Sequence, residues 1–396
     1  MSVKKLFLFL TLSLIALMTL TLASCGGSGS GSSSAGDGTL RLYMTDSATE
    51  DYRAIYVTID RVDVHRADGN WEVVATPQAT YNLLELVNGV TVVLGEDQLP
   101  SGNYTQMRLI IGDTPDDGLN IAGNTHDGKP NYLLVGDNLD VESLKIPSGP
   151  QTGIKLVSGF TINANQTTEL LLDFDAMRSV VKAGASGKYL LKPTIKVLDR
   201  STETTVKGTI TRTVNTDPTP LAGAFVSAQA GDPLTIRAGT ISDDDISDEK
   251  PGYKLFLEPG SYTLVATAKG YEPACSPLSL TAGDQLLIDF NLTAAAISYD
   301  LSGTVTVAQP DENERVTLTF YQTVDCAENT TASVVVRELN FDADAEGVDY
   351  QLNLPAGSYN AVATRLATVD EEDVVVSAIE FSINLNNNMV ENINFL

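Results

Sequence analysis

Two carboxylates spaced two residues apart are the first candidates for chemistry in this 396-residue chain. Asp173 and Asp175 flank Phe174. Side chains alternate along a strand, so both acids share one face and Phe174 takes the other. Such a pair serves as half of a calcium site, as a general acid/base pair, or as strand-end carboxylates satisfied by backbone amides and by Lys or Arg. A denser acidic run follows at Asp243-Asp244-Asp245 with Asp248 and Glu249. Its carboxylates supply oxygens for Ca2+, which takes about six to eight, and they equally read as a solvated loop. The segment Asp113-Thr114-Pro115-Asp116-Asp117-Gly118 reads as a turn, because the bidentate Glu that closes a calcium loop is absent.

Other catalytic chemistry has little to work with. His65 and His126 are the only histidines, which weakens every scheme that needs an imidazole. His126 falls in an Asp-, Asn- and Gly-rich loop over 113–131 and is expected to be exposed; His65 sits at a strand end. Thr45, Ser148 and Ser158 have no base placed to activate them. There is no zinc spacing, phosphate loop or dinucleotide fingerprint. No cofactor is expected beyond Ca2+, and no enzyme.

Acidic residues number 51 against 25 basic ones, for a formal charge of −26. Phosphate binding needs clustered Lys and Arg, so nucleic acid is excluded as a partner. At 43% hydrophobic and 19% charged, the chain is too apolar for an acidic disordered tail. Folded domains with an acidic surface are expected instead.

The elements that must position these residues are strands. Thr39–Asp46 alternates. Ile55, Val57, Ile59, Val62 and Val64 alternate with one phase slip near Asp60 and Arg61, which predicts a bulge. No long helical stripe occurs, so the fold class is all-β. A turn signature recurs three times: Leu99-Pro100-Ser101-Gly102-Asn103-Tyr104, Leu257-Glu258-Pro259-Gly260-Ser261-Tyr262 and Leu354-Pro355-Ala356-Gly357-Ser358-Tyr359. Its chemistry predicts a hairpin, in which Pro fixes φ, Gly takes a conformation other residues avoid, and Tyr begins the return strand. The second and third copies sit 97 residues apart within longer matching stretches, 253–267 and 350–364. That is an internal repeat at β-sandwich strand spacing.

The N-terminus adds an address. Lys4 and Lys5 precede an apolar run, Leu6 to Leu22, that ends in Leu22-Ala23-Ser24-Cys25. A charged start, an apolar centre and small residues define an export signal, 1–24. Leu-Ala-Ser-Cys resembles the lipobox of bacterial lipoproteins. The resemblance implies cleavage before Cys25, lipidation of that residue (palmitate among its acyl chains) and anchoring to a membrane. Gly26 is not Asp, which points to the outer membrane. Residues 25–38, nearly all Gly and Ser beyond the cysteine, form a flexible tether.

Residues 39–200 resemble the lipoprotein domain DUF4382 through Tyr43-Met44-Thr45-Asp46, Tyr81-Asn82-Leu83-Leu84, the first turn signature with Arg108-Leu109, Leu172-Asp173-Phe174-Asp175 and Leu191-Lys192-Pro193-Thr194. That family has no assigned chemistry. Residues 204–294 resemble the carboxypeptidase regulatory-like, or transthyretin-like, sandwich through Val206-x-Gly208-x-Ile210, the 257–266 turn and strand, and Lys269-Gly270-Tyr271. Residues 298–396 keep the turn, lack Lys-Gly-Tyr, and read as a diverged second copy. The resemblance implies a carbohydrate-binding-like fold by analogy. Trp71, Tyr253 and Tyr271 are the aromatics available for sugar stacking, and each reads equally as core.

Cys275 and Cys326 lie in different repeats. Either they pair and staple two domains, worth about 4 kcal/mol by loop entropy, or they stand as free thiols. Three β-sandwich-type domains in tandem therefore follow a signal peptide and a tether. The expected function is a non-catalytic, lipid-anchored envelope protein that binds a glycan or an envelope protein. A spacer without a small ligand is the alternative, and a metal-assisted hydrolase built on Asp173 and Asp175 is a third reading.

Overall fold

The computed structural model describes residues 36–47, 49, 52–146, 153–183, 188–247, 251–311, 314–327, 330–369 and 372–396. The export signal, Cys25, most of the tether, Ser148 and Asp248 lie outside the described residues.

Alternation builds the first domain as expected. In the strand Asp37–Ser47, Leu40, Leu42 and Met44 are fully buried. This strand pairs parallel with Thr167–Asp175 and antiparallel with Val92–Pro100, and Ile195–Asp199 completes a four-stranded sheet. The strand Ala54–Arg66 leads the opposing sheet. Its register shifts between Ile59 and Arg61, which places the predicted bulge at Asp60 and keeps both Ile59 and Val62 inside. Leu42, Leu172 and Phe174 from one sheet meet Val57, Val64 and Leu109 from the other in one apolar core.

The hairpin expectation for the three turn signatures is overturned. Val92–Pro100 and Gly102–Ile111 do not pair; they belong to opposite sheets. The same holds for Tyr253–Leu257 and Gly260–Thr267, and for Val348–Pro355 and Gly357–Val369. Each signature is a corner that carries the chain from one sheet to the other. The tyrosine fixes it: Tyr104, Tyr262 and Tyr359 donate their hydroxyls to the carbonyls of Pro100, Glu258 and Pro355, at 2.9, 3.0 and 2.6 Å. Only Gly102 takes a positive φ, 151°. The other two glycines need no special conformation there.

The two repeats share a second lock. A Cβ on Gly208 would lie 1.9 Å from the Ile288 carbonyl oxygen, and one on Gly303 would lie 1.8 Å from that of Glu391. Those same carbonyls accept the hydroxyls of Tyr253 and Tyr350, at 2.5 and 2.8 Å. A missing side chain and a buried phenol thus hold equivalent strands together in both copies. Each copy has its own core, around Val226 and Leu264 in the second domain and around Leu318 and Phe320 in the third.

Successive in sequence, the domains interlock in space, and residues 37–396 form a single compact unit. Val180–Ala183 of the first domain pairs with Thr330–Asp342 of the third at Lys182 and Phe341, so one fourteen-stranded sheet runs through both. Cys275 and Cys326 form a disulfide between the second and third domains, with a Cα–Cα distance of 4.6 Å. Beside them the buried Gln229 amide donates to the Val335 carbonyl at 2.8 Å and accepts from the Val335 N–H at 2.9 Å. Arg178 of the first domain meets Glu338 of the third at 2.9 Å, and Lys192 meets Asp342 at 2.8 Å.

Candidate functional site

The strand Thr167–Asp175 separates its residues as its period requires. Leu170, Leu172 and Phe174 enter the core of the first domain, while Leu171, Asp173 and Asp175 face outward. The outward face is covered by the second domain, where Leu171 and Leu198 pack on Phe256. Asp173 is buried beneath it, at 7% exposure, and Asp175 is buried beside Arg178, at 5%.

Their environments differ. Asp175 accepts the Arg178 N–H at 3.1 Å, caps the short helix Ala176–Ser179, and lies 3.9 Å from the Arg178 guanidinium. It is a structural carboxylate. Asp173 has no such role. It sits opposite Lys196 in the antiparallel register, and among the described residues neither side chain makes a hydrogen bond or ion pair. Burial pushes the Asp173 carboxyl up to about 7, with Lys196 opposing the shift and Asp175 adding to it. Burial likewise lowers Lys196. On the core side, Asp46 accepts the Ala176 N–H at 3.0 Å, and its second oxygen is buried without a partner. Burial first, then Asp175 and Asp173, raises its proton affinity well above the ordinary range.

Asp173 and Lys196 open on a cavity of about 360 Å³ between the first and second domains. The second domain contributes Arg237, Glu258, Ser261 and Tyr262, with Phe256 and Leu198 on the apolar side. Arg237 is exposed and forms no hydrogen bond or ion pair among the described residues. This cleft brings together a carboxyl whose proton affinity burial raises and two cations, Lys196 and Arg237, that have no ion-pair partner among the described residues. A second cavity, about 280 Å³, opens where the domains meet near Met177, Ile236, Tyr271 and Glu338. Its acid, Glu338, is already taken by Arg178.

The remaining candidates are dispersed. Among the described residues no three His, Cys, Asp or Glu side chains gather to hold a metal ion. Asp243 accepts the Asp245 N–H at 2.9 Å in a local turn, and Asp244 and Asp245 are exposed. His126 is not exposed as expected; only 4% of it reaches solvent. The 113–131 loop folds back over a small cluster of Ala54, Tyr56, Tyr132 and Leu134. There the imidazole Nδ1 meets the Tyr132 hydroxyl at 2.9 Å and Nε2 lies 3.4 Å from Asp116. Thr45 donates to the carbonyls of Leu86 and Val90, at 2.8 and 2.9 Å, so its hydroxyl is engaged. Tyr253 is core. Tyr271 accepts from Arg212 at 3.2 Å, and the Trp71 ring lies under Arg108, 4.4 Å from its centroid.

Sequence reasoning found Asp173 and missed Lys196, Arg237 and Asp46. Lys196 carried a usable signal, since it stands on the strand that closes the first domain. Arg237 carried none, because only packing brings it to the cleft.

Residues 37–193 match the family described as Domain of unknown function (DUF4382). No curated protein matches the chain. Among solved structures, the Bacillus anthracis TIE protein is 14% identical with a TM-score of 0.19, covering 91% of this chain and 50% of its own. The shaft pilin SpaA from Lactobacillus rhamnosus GG is 14% identical with a TM-score of 0.18, covering 48% of this chain and 96% of its own. A putative adhesin from Bacteroides ovatus is 10% identical with a TM-score of 0.19, covering 46% and 75%. This chain thus spans half the length of the Bacillus anthracis protein. Likenesses this weak carry no argument about activity.

Proposed function

We propose that the chain is a non-catalytic binding protein of the bacterial cell envelope, held by lipid on Cys25 and presenting one rigid three-domain body. The observation that carries this reading is the closed arrangement of the domains. The first touches the third through a shared sheet and two ion pairs, and the second is bolted to the third by a disulfide. A spacer gains reach by stacking modules end to end. Here the modules fold back on one another, which gives up reach and creates cavities between domains. The hydrolase reading loses its pair of acids, because Asp175 is committed to Arg178 and the helix cap. A glycan or an envelope protein remains the expected class of partner.

Two measurements test the reading together. Cys25→Ser should abolish labelling by a palmitate analogue and move the protein out of the membrane fraction. Glycan-array binding by the mature protein should give a specific hit; a blank array, with function restored by an unrelated spacer of similar size, would return the chain to the spacer reading.

A further inference from the structure

We propose that the cleft walled by Asp173, Lys196, Arg237, Glu258, Ser261 and Tyr262 binds a small sugar acid, a single carboxylate on one polyhydroxylated ring. The inference deepens the reading of the chain as a binding protein and rests on it.

Three observations converge on this ligand. The first is size. A cavity of about 360 Å³ falls at the small end of ligand pockets, roughly 300–1,000 Å³, which suits one ring and not a chain of them. The second is charge. Lys196 comes from the strand that closes the first domain and Arg237 from the strand Thr235–Ile241 of the second. Both line the one cavity; burial lowers the proton affinity of Lys196 most, Asp173 and Asp175 oppose that shift, and Arg178 and then Arg237 add to it. Neither Lys196 nor Arg237 has an ion-pair partner among the described residues. A carboxylate between them relieves the repulsion, and the planar guanidinium accommodates it through two parallel hydrogen bonds.

The third is the acid on the same wall. Asp173 is 93% buried, judged from its 7% exposure, lines the cavity, and has no hydrogen-bond partner among the described residues. A buried carboxyl without a partner is costly. A ring hydroxyl would supply the missing donor. Glu258 at the rim offers a second acceptor, and Ser261 and the Tyr262 ring offer a hydroxyl and an apolar edge. A doubly charged phosphate would meet two acids in this space; a singly charged carboxylate carried on hydroxyls uses them.

The test is calorimetric titration of the full protein in detergent at pH 7 with glucuronate, glucose and acetate as probes. Glucuronate should bind, with glucose and acetate each weaker by about tenfold or more, since each carries half of the recognised group. Arg237→Ala and Lys196→Met should each weaken glucuronate by about tenfold or more. Arg237 is exposed, so its variant should melt with the wild type, and lost binding then reports the contact. Asp173→Asn exchanges the acceptor carboxyl for an amide and should weaken glucuronate by about threefold or more; unchanged affinity would overturn the part given to Asp173. No glucuronate binding overturns the inference. Glucuronate binding that survives both cation variants also overturns it, while leaving the chain a binding protein that uses another surface. The glycan array tests that broader reading separately.

Discussion

The first domain meets its two neighbours in opposite ways. Toward the third domain its charges are paired: Arg178 with Glu338, Lys192 with Asp342, and the backbone itself continues as one sheet. Toward the second domain the contact is a small apolar cluster, Leu171, Leu198 and Phe256. To this are added hydrogen bonds from Asn88 to Thr240 and Gly252, at 3.0 and 3.3 Å. The charges beside that cluster, Asp173, Lys196 and Arg237, have no ion-pair partners among the described residues. A surface that only had to hold two domains together would gain by pairing or removing such groups. The two joints therefore differ in kind: one pairs its charges, and the other leaves them without ion-pair partners among the described residues.

Arg178→Met should produce the largest effect. It leaves Glu338 and Asp175, at 7% and 5% exposure, without their cation. Breaking a buried pair from one side costs about 3–5 kcal/mol, readable as a lower denaturant midpoint. Lys196→Met, on the other interface, removes no ion pair and should cost less than about 1 kcal/mol. Equal losses from the two variants would erase the distinction between the interfaces.

Asp173→Asn tests the unpaired side from the opposite direction, because it should stabilise. The folded carboxyl titrates at about 7 against an ordinary 3.8. As pH rises from about 4 to about 7, the unfolded chain gives up this proton first, so wild-type stability falls across that window. Above it the penalty is constant, on the order of a few kcal/mol. Below pH 4 both states are protonated and the penalty vanishes. The Asn variant should therefore melt higher than wild type at pH 8 and close to it at pH 4. Burial moves Asp46 and Asp175 in the same direction, so part of the slope should survive. A variant no more stable than wild type at pH 8 would mean that Asp173 carries no uncompensated charge.

Much of the framework was legible because it is periodic. The phase slip at Asp60 marked a real bulge, and the 97-residue repeat marked two sandwiches locked by equivalent glycines and tyrosines. The corners were misread for a physical reason. Pro and Gly between two strands serve a hairpin and an inter-sheet corner alike, and only the Tyr hydroxyl bonded to the carbonyl four residues back separates them. His126 was misread because loop composition resembles an exposed turn, whereas Tyr56 and Tyr132 give the loop an apolar floor. The cleft was half visible. Asp173 stood out by spacing, but Arg237 reaches it only because Phe256 seats the second domain on Leu171 and Leu198.

Thr240→Val asks how much of the second-domain contact is polar, and its effect should be small. Thr240 is 1% exposed and its hydroxyl oxygen accepts the Asn88 N–H. Valine has nearly the same shape and no acceptor, so the substitution leaves a donor unsatisfied at little steric cost. The expected loss is about 1 kcal/mol. Amide hydrogen exchange shows where that loss falls. If the apolar cluster holds the joint, exchange should rise at Asn88 and Gly89 alone, and amides of the strand Thr167–Asp175 should keep their protection. If protection falls along that strand as well, the joint opens as a unit. The second domain would then be held by a few hydrogen bonds, and the cleft beside Asp173 would be a hinge opening, not a fixed wall.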